Sequence, residues 1–327
     1  MTFSIAVIAG GPSSEAQVSR ASAAGVEKAL VEAGHRPRVV ELGRDLPAAL
    51  ARDVDVVFPV THGPLGEDGC LQGLIEVLDL PYVGSGVLAS ALAASKPHAK
   101  VQFARAGLPI ADERLVRRGE DPGARAAGLR AELGLALFVK PASGGSAIGV
   151  GRVRASDDDG VLVRAIEAAL SEDPVALVER FVAGQEITCS VLEDESGEPR
   201  ALPPTLILSR ANEWYDFQSK YAQGGSEHRC PAPLPALLTE RVQQLAVAAH
   251  RALGARDLSR VDFVVAEGEP APITLLELNT LPGMTATSLF PEAAAAAGIP
   301  FPELCDRLVR RAHARPRREA PGEMPMP

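Results

Sequence analysis

The chain has 327 residues, 46% of them hydrophobic, which is enough for one large core or two to three smaller ones, and ordinary domain sizes favour the smaller cores. A formal net charge of −9 argues against a nucleic-acid binder, because neutralising phosphates needs a basic surface. The four cysteines, Cys70, Cys189, Cys230 and Cys305, form no C-x-x-C pair and no metal spacing, so they read as reduced thiols of a cytosolic protein, and no apolar run approaches a membrane span.

The N-terminus lacks the basic region of a signal peptide and reads instead as a strand over 4–9, stopped by the turn Gly10-Gly11-Pro12. A helix over 18–33, strands over 38–42 and 54–60, a helix beginning near Gly69, a short strand at Tyr82-Val83 and a helix over 85–94 follow. That alternation predicts an α/β domain with a parallel sheet, spanning residues 1–95 and ending where Lys96-Pro97 breaks the pattern. A central α+β lobe is expected over 96–183, with a helix over 97–106, a strand over 137–140, a glycine-rich loop, a strand over 148–153, a helix over 161–170 and a strand over 175–181. A C-terminal α+β lobe is expected over 184–313, with strands over 186–192 and 202–207, a polar loop over 209–228, a helix over 239–253 and two paired strands. The tail, 314–327, has too little apolar content to pack and reads as disordered.

The two paired strands carry the densest chemistry. Side chains alternate along a strand, so Arg260 and Asp262 share one face while Val261 and Phe263 share the other. Likewise Glu277 and Asn279 are expected to lie opposite Leu276 and Leu278, and Glu267-Gly-Glu-Pro suits the hairpin turn between the strands. If the polar faces coincide, hard oxygen ligands gather beside a fixed cation, a patch suited to Mg2+ and phosphate. The plainer alternative is the solvated face of an amphipathic hairpin.

Lys140-Pro-Ala-Ser-Gly-Gly-Ser-Ala-Ile-Gly149 joins a lysine-ended strand to a second strand, and its glycines let backbone amides approach an anion. It is not a Walker loop, since no Gly-Lys-Ser/Thr closes it. Gly84-Ser-Gly86-Val-Leu-Ala89 fits a dinucleotide fingerprint formally, but the acidic residue required about 20 positions on is absent, so it reads as a tight strand-to-helix turn. Glu15 follows Gly10-Gly11-Pro12 at the start of a helix, where it could cap the helix or meet a substrate ammonium. His62, in Thr61-His62-Gly63, sits at the carboxyl edge of the sheet, where ligands of open α/β sheets bind, although a lone histidine is more often structural.

Taken together, Gly-Gly-Pro-Ser-Ser-Glu, Thr-His-Gly-Pro-Leu-Gly-Glu-Asp-Gly, Gly-Ser-Gly-Val-Leu-Ala-Ser-Ala, Lys220-Tyr221, Ser-Arg-Val-Asp and Leu-Glu-Leu-Asn-Thr-Leu-Pro-Gly-Met-Thr resemble the D-alanine:D-alanine ligases, members of the ATP-grasp superfamily. The motifs run in the family's order from residue 3 to about residue 312 and leave only the tail outside. The resemblance implies a three-lobed ATP-grasp fold and ATP-driven joining of two D-alanine molecules through an acyl phosphate, for peptidoglycan precursor synthesis. It implies ATP contacts from Lys96, Lys140 and Ser146, adenine and ribose contacts from Glu179, Phe181, Val182 and Glu186, and a base held between Phe263 and Leu276. Asp262, Glu277 and Asn279 would hold two Mg2+ ions, with Mn2+ able to replace them. Glu15 would take the first ammonium, with His62 nearby; Arg260 and the Gly283 amide would stabilise the oxyanion; Ser288 and the Leu289 amide would take the second carboxylate. Lys220 and Tyr221 would lie on an omega loop that closes over the site, with Tyr221 connected to Ser146 and Glu15. A cytoplasmic homodimer is implied in the same way, with no nucleic-acid or membrane partner.

One departure is Ala147, where the family commonly has a second serine; another is the length of the tail. Two alternatives stand beside the dipeptide ligase: an ATP-grasp ligase joining D-alanine to D-serine or D-lactate, and a non-catalytic nucleotide-binding protein. Tyr221 and Ser288 speak against the first, and the presence of Arg260, Asp262, Glu277 and Asn279 speaks against the second.

Overall fold

A computed structural model describes residues 1–51, 53–145, 148–209, 226–285 and 287–316. In it β1 (Ser4–Ala9) lies between β2 (Arg36–Glu41) and β3 (Val56–Pro59), parallel to both, with Val7 opposite Val39 and Phe58. An apolar strand such as β1 suits that central place, since a parallel sheet is covered on both faces. One face packs on α1 (Ala16–Glu32) and on α10 (Phe301–Ala314), through Ile5, Val7, Val26, Leu30, Leu304 and Leu308. The other face, with Ala6 and Ile8, packs on α2 (Leu46–Leu50) and α3 (Cys70–Val77). Tyr82-Val83 forms a single bridge to Val57 rather than a full strand.

The second sheet is antiparallel, with β7 (Val175–Arg180) flanked by β4 (Glu113–Arg117) and β5 (Leu137–Pro141), and β6 (Gly151–Val153) on the far side of β5. Its core comes from α6 (Pro122–Leu133) and α7 (Asp159–Glu172), which bury Leu129, Leu133, Leu162 and Ile166 against Val116, Val139 and Val178. Both helices start on an aspartate cap: Asp121 accepts from the Gly123 amide at 2.9 Å and Asp158 from the Val161 amide at 3.1 Å.

The third sheet runs β11 (Ser226–Arg229), β10 (Thr205–Ser209), β8 (Gln185–Glu193), β12 (Leu258–Val265), β13 (Ile273–Asn279), with β9 (Pro199–Ala201) also on β8. The strand expected over 202–207 begins only at Thr205, because Pro203 and Pro204 have no N–H to give the ladder. One face is covered by α5 (Lys96–Arg105) and α8 (Ala236–Leu253), whose Phe103, Val242, Leu245 and Ala249 pack on Ile187, Val261, Phe263 and Leu275. Thus α5 seats itself on this sheet, although the next strand in the chain belongs to the second one. The short helices α4 (Val87–Ala94) and α9 (Leu289–Ala296) complete the described elements. Among the described residues no helix is long and apolar enough to cross a membrane.

Asp257 ties these layers together. It is fully buried and holds φ = 63°, a left-handed conformation that aspartate tolerates better than most side chains. Its carboxylate accepts from the Gly84 amide at 2.7 Å and pairs with Arg315 at 2.5 Å and Arg311 at 3.3 Å, while Arg315 also donates to the Tyr82 carbonyl at 3.1 Å. Asp257→Ala is therefore expected to cost about 2–4 kcal/mol, the low side of the range for breaking buried pairs because both arginines keep some solvent contact. A urea melt checks this; an unchanged midpoint would mean that water replaces the clamp without loss.

Candidate active site

The antiparallel register sets Asp262 opposite Glu277 and Arg260 opposite Asn279, so the polar groups of the hairpin do share one face. On β12 the alternation holds: Val261 and Phe263 are fully buried in the core while Arg260 and Asp262 are half-buried on the other side. On β13 it does not, and the expectation that Leu276 lies with Leu278 is corrected. Opposite the step from Asp262 to Phe263, β13 carries one extra residue, Leu276, a bulge that resets the two-residue period. Leu275 and Leu278 take the core positions, and Leu276 turns toward the cleft with Glu277.

Arg260 grips Asp262 with both arms of its fork, Nε to Oδ1 at 2.9 Å and a terminal nitrogen to Oδ2 at 2.8 Å. The Thr188 hydroxyl donates to the same Oδ1 at 2.6 Å. Asn279 Oδ1 accepts from the Leu281 amide at 2.8 Å, which braces the turn after the strand and leaves its second lone pair. Among the described residues no cluster of three His, Cys, Asp or Glu side chains forms a metal cage. Two carboxylates in register beside an amide oxygen nevertheless fit a hard divalent cation whose remaining positions are filled by phosphate oxygens.

Between this sheet and the second one lies a cleft of about 840 Å³, counting its open mouth, which is a size typical of small-molecule sites. Phe263 and Leu276 line it together with Asp262 and Glu277, and the glycine-rich loop at 143–145 and Ile148 close over it. Lys96 donates to the Gly144 carbonyl at 2.6 Å and stands 3.8 Å from Glu277. Lys140, at the cleft wall, lies 2.5 Å from Glu179. Burial works against the Lys140 ammonium, but Glu179 and Glu277 outweigh it and raise its pKa. Burial likewise opposes the Glu179 carboxylate, and Lys140 with Lys100 overcomes that, lowering its pKa to about 2.

Glu186 lines the cleft. Glu179 lies beneath it, 4% exposed, with its oxygens committed to lysines. Phe181 and Val182 are half-buried beyond the end of β7, and the Arg152 guanidinium stacks 4.3 Å from the Phe181 ring. Lys100 was not singled out from the sequence; its only local signal is a spacing of four from Lys96 on one helix face. Ser146, Ala147, Lys220 and Tyr221 lie outside the described residues.

A second cavity, about 670 Å³, shares Lys96, the loop at 143–145 and Glu277 with the first and extends to Gly63, Glu67 and Asn279. Here the parallel pairing of β1 and β3 brings their following loops side by side, so that a Cβ on Gly63 would meet that of Ser13 at 2.9 Å. Glu15 occupies the N-cap of α1 yet makes no capping hydrogen bond, which removes the capping explanation. A Cβ on Gly145 would lie 3.6 Å from a Glu15 oxygen, so the carboxylate faces the glycine-rich loop.

His62 is buried, with Nδ1 3.7 Å from Glu67. Burial disfavours its charge, but Glu67 and Glu15 together outweigh burial and the opposing Arg260, and its pKa is raised. A group whose folded pKa is raised stabilises the fold while protonated, below the ordinary imidazole value, and loses that contribution as pH rises through the folded value. Glu67→Gln should therefore destabilise more at mildly acidic pH, where the imidazole is charged, than at strongly alkaline pH, where it is neutral. Urea midpoints of both proteins check this, and an equal loss at the two pH values would contradict it.

Beyond the hairpin, Gly283 and Ser288 lie side by side. Ser288 caps α9 in position only: its hydroxyl accepts from the Thr285 amide at 3.1 Å and lies 2.7 Å from the Thr285 hydroxyl. A Cβ on Gly283 would come within 2.9 Å of that hydroxyl, so the two residues approach closely. The Leu289 amide opens the helix, where backbone donors suit an anion.

Two antiparallel sheets enclosing a lysine-lined cleft, with paired carboxylates at its mouth, define an ATP-grasp fold. Solved D-alanine–D-alanine ligases share this architecture: that of Bacillus anthracis superposes with a TM-score of 0.81 at 34% identity over 95% of this chain and 97% of its own, and that of Coxiella burnetii with 0.81 at 26% over 95% and 94%. The family models of the D-ala D-ala ligase N-terminus and C-terminus match residues 39–85 and 102–310. The D-alanine–D-alanine ligase of Geobacter sulfurreducens is 46% identical over 98% of both chains, and that of Desulforamulus reducens 45% identical over 95% of this chain and 99% of its own. The chain belongs to the D-alanine–D-alanine ligase family.

Proposed function

We propose that the chain joins two D-alanine molecules into D-alanyl-D-alanine, consuming ATP and releasing ADP and phosphate, as a step in making peptidoglycan precursors. The observation that carries this reading is the meeting of the two cavities at Lys96 and Glu277, which sets a phosphate site against a site for a small amino acid. Lys96 and Lys140 hold the phosphates of ATP, Phe263 and Leu276 contact the base, and Phe181, Val182 and Glu186 serve its adenine and ribose end. For Glu179, the buried ion pairs favour holding Lys140 over touching the nucleotide.

Glu15 receives the ammonium of the first D-alanine, with the His62 and Glu67 pair behind it. The carboxylate oxygen of that substrate attacks the γ-phosphorus, the bond to the ADP oxygen breaks, and an acyl phosphate forms. The amine of the second D-alanine then attacks the acyl carbon, loses a proton, and phosphate departs with the bonding electrons. Arg260, fixed by its fork on Asp262, and the Gly283 amide are aimed at the oxyanion of that step. The Leu289 amide and Ser288 receive the second carboxylate. Asp262, Glu277 and Asn279 would hold two Mg2+ ions, or Mn2+, which when bound neutralise phosphate charge. Ser146, Lys220 and Tyr221 belong to the loops proposed to shut out water, which would otherwise hydrolyse the acyl phosphate. The proposal includes three lobes, residues 1–95, 96–183 and 184–313, and a cytoplasmic homodimer, the last two terms carried by the sequence resemblance.

D-alanine labelled with heavy oxygen in its carboxylate tests the chemistry. One labelled oxygen is expected in the released phosphate; unlabelled phosphate alongside dipeptide would exclude the acyl phosphate.

A further inference from the structure

Lys100 lines neither cavity, yet it is 2% exposed; its ammonium donates to the Ala111 carbonyl at 3.0 Å and to Glu179 Oε1 at 2.5 Å, and it forms an ion pair with Glu113 Oε2 at 2.6 Å. The other oxygen of Glu179 meets Lys140 at 2.5 Å. Glu113 and Glu179 are direct neighbours across β4 and β7, a like-charge pairing that is unfavourable unless a cation separates the two. Two carboxylates and two lysines balance, and Lys140 is the member of the four that reaches the cleft. Lys100 comes from α5, which is packed on the third sheet through Ala99 and Phe103, whereas its two charged partners, Glu113 and Glu179, stand on the second, as does Lys140. The same helix presents Lys96 to the cleft four residues earlier.

We infer that Lys100 is a positioning residue for nucleotide binding: it occupies one oxygen of Glu179 and neutralises Glu113, so that Glu179 fixes Lys140 at the cleft wall, and it couples that setting to the seat of α5. This rests on reading the cleft as the ATP site. Without Lys100, two adjacent carboxylates share Lys140 and draw its ammonium down between them, away from the phosphates. Removing the Glu113 charge as well restores one carboxylate to one lysine, so the defect is repaired by a second loss rather than by a replacement.

The experiment measures binding of a non-hydrolysable ATP analogue with Mg2+ to the full chain by calorimetry, together with KM for ATP and for D-alanine, for the wild type, Lys100→Met, Glu113→Gln and the double variant. Absence of binding to the wild type would refute the cleft reading itself. Given binding, Lys100→Met should weaken it by at least about tenfold, with KM for ATP rising and KM for D-alanine moving by less than about threefold. The double variant should return to within about threefold of the wild type. Lys100→Met binding as well as the wild type, or a double variant as weak as the single one, overturns the inference. Should Lys100→Met fail to fold, Glu113→Gln decides: Lys100 then holds Glu179 alone, so binding within about threefold of the wild type is expected, and a tenfold loss would reveal a bracing role for the whole quartet and overturn the proposal.

Discussion

Glu277→Gln is expected to lower turnover by at least about a thousandfold while leaving the urea midpoint unchanged. The exchange keeps the shape of the side chain and removes one negative charge from a position paired with Asp262 across the hairpin and 3.8 Å from Lys96. Glu277 is 37% exposed at its side chain, and among the described residues its ion pair is the long contact of 3.8 Å with Lys96, so stability has little reason to change. Its value lies in being, among the described residues, the one carboxylate common to both cavities. A variant turning over at near-normal rate would remove the metal assignment, and one that merely unfolded would show that the charge serves the fold.

Arg260→Lys should cost about 100- to 1,000-fold in kcat, the range for loss of one preorganised donor at a developing oxyanion. Lysine keeps the charge but cannot reproduce the two-armed contact with Asp262. The freed Asp262 keeps the Thr188 hydroxyl, so the carboxylate itself should stay in place. Steady-state kinetics should therefore show kcat falling far more than KM for ATP rises. Equal losses in both would mean that Arg260 acts through Asp262 on nucleotide binding and not on the acyl transfer.

Much of the site was legible because its chemistry is local. The hairpin is announced by alternating polar and apolar residues in Ser259-Arg260-Val261-Asp262-Phe263, and the parallel sheet by short apolar runs separated by helical patterns. What escaped was set by long-range packing or by residues with weak local signals. The bulge falls within Leu275-Leu276-Glu277, where consecutive leucines give no hint of which one turns outward. Helix α6 carries two glycines and a modest apolar pattern, and only Asp121-Pro122, a cap followed by a first-turn proline, marks its start. Lys100 and Glu179 are 79 residues apart, and their contact depends on α5 seating itself on a sheet far along the chain. Helix α10 similarly closes the core of the first sheet from the opposite end of the sequence, an arrangement no local pattern specifies.

The central claim is tested most directly by ADP release from the purified chain with MgATP, offering D-alanine, L-alanine, and D-alanine mixed with D-serine or D-lactate, with products identified by mass spectrometry. Release that depends on D-alanine alone and yields the dipeptide is the predicted result. Bound ATP with no D-alanine-dependent release, or a mixed product preferred over the dipeptide, would contradict it.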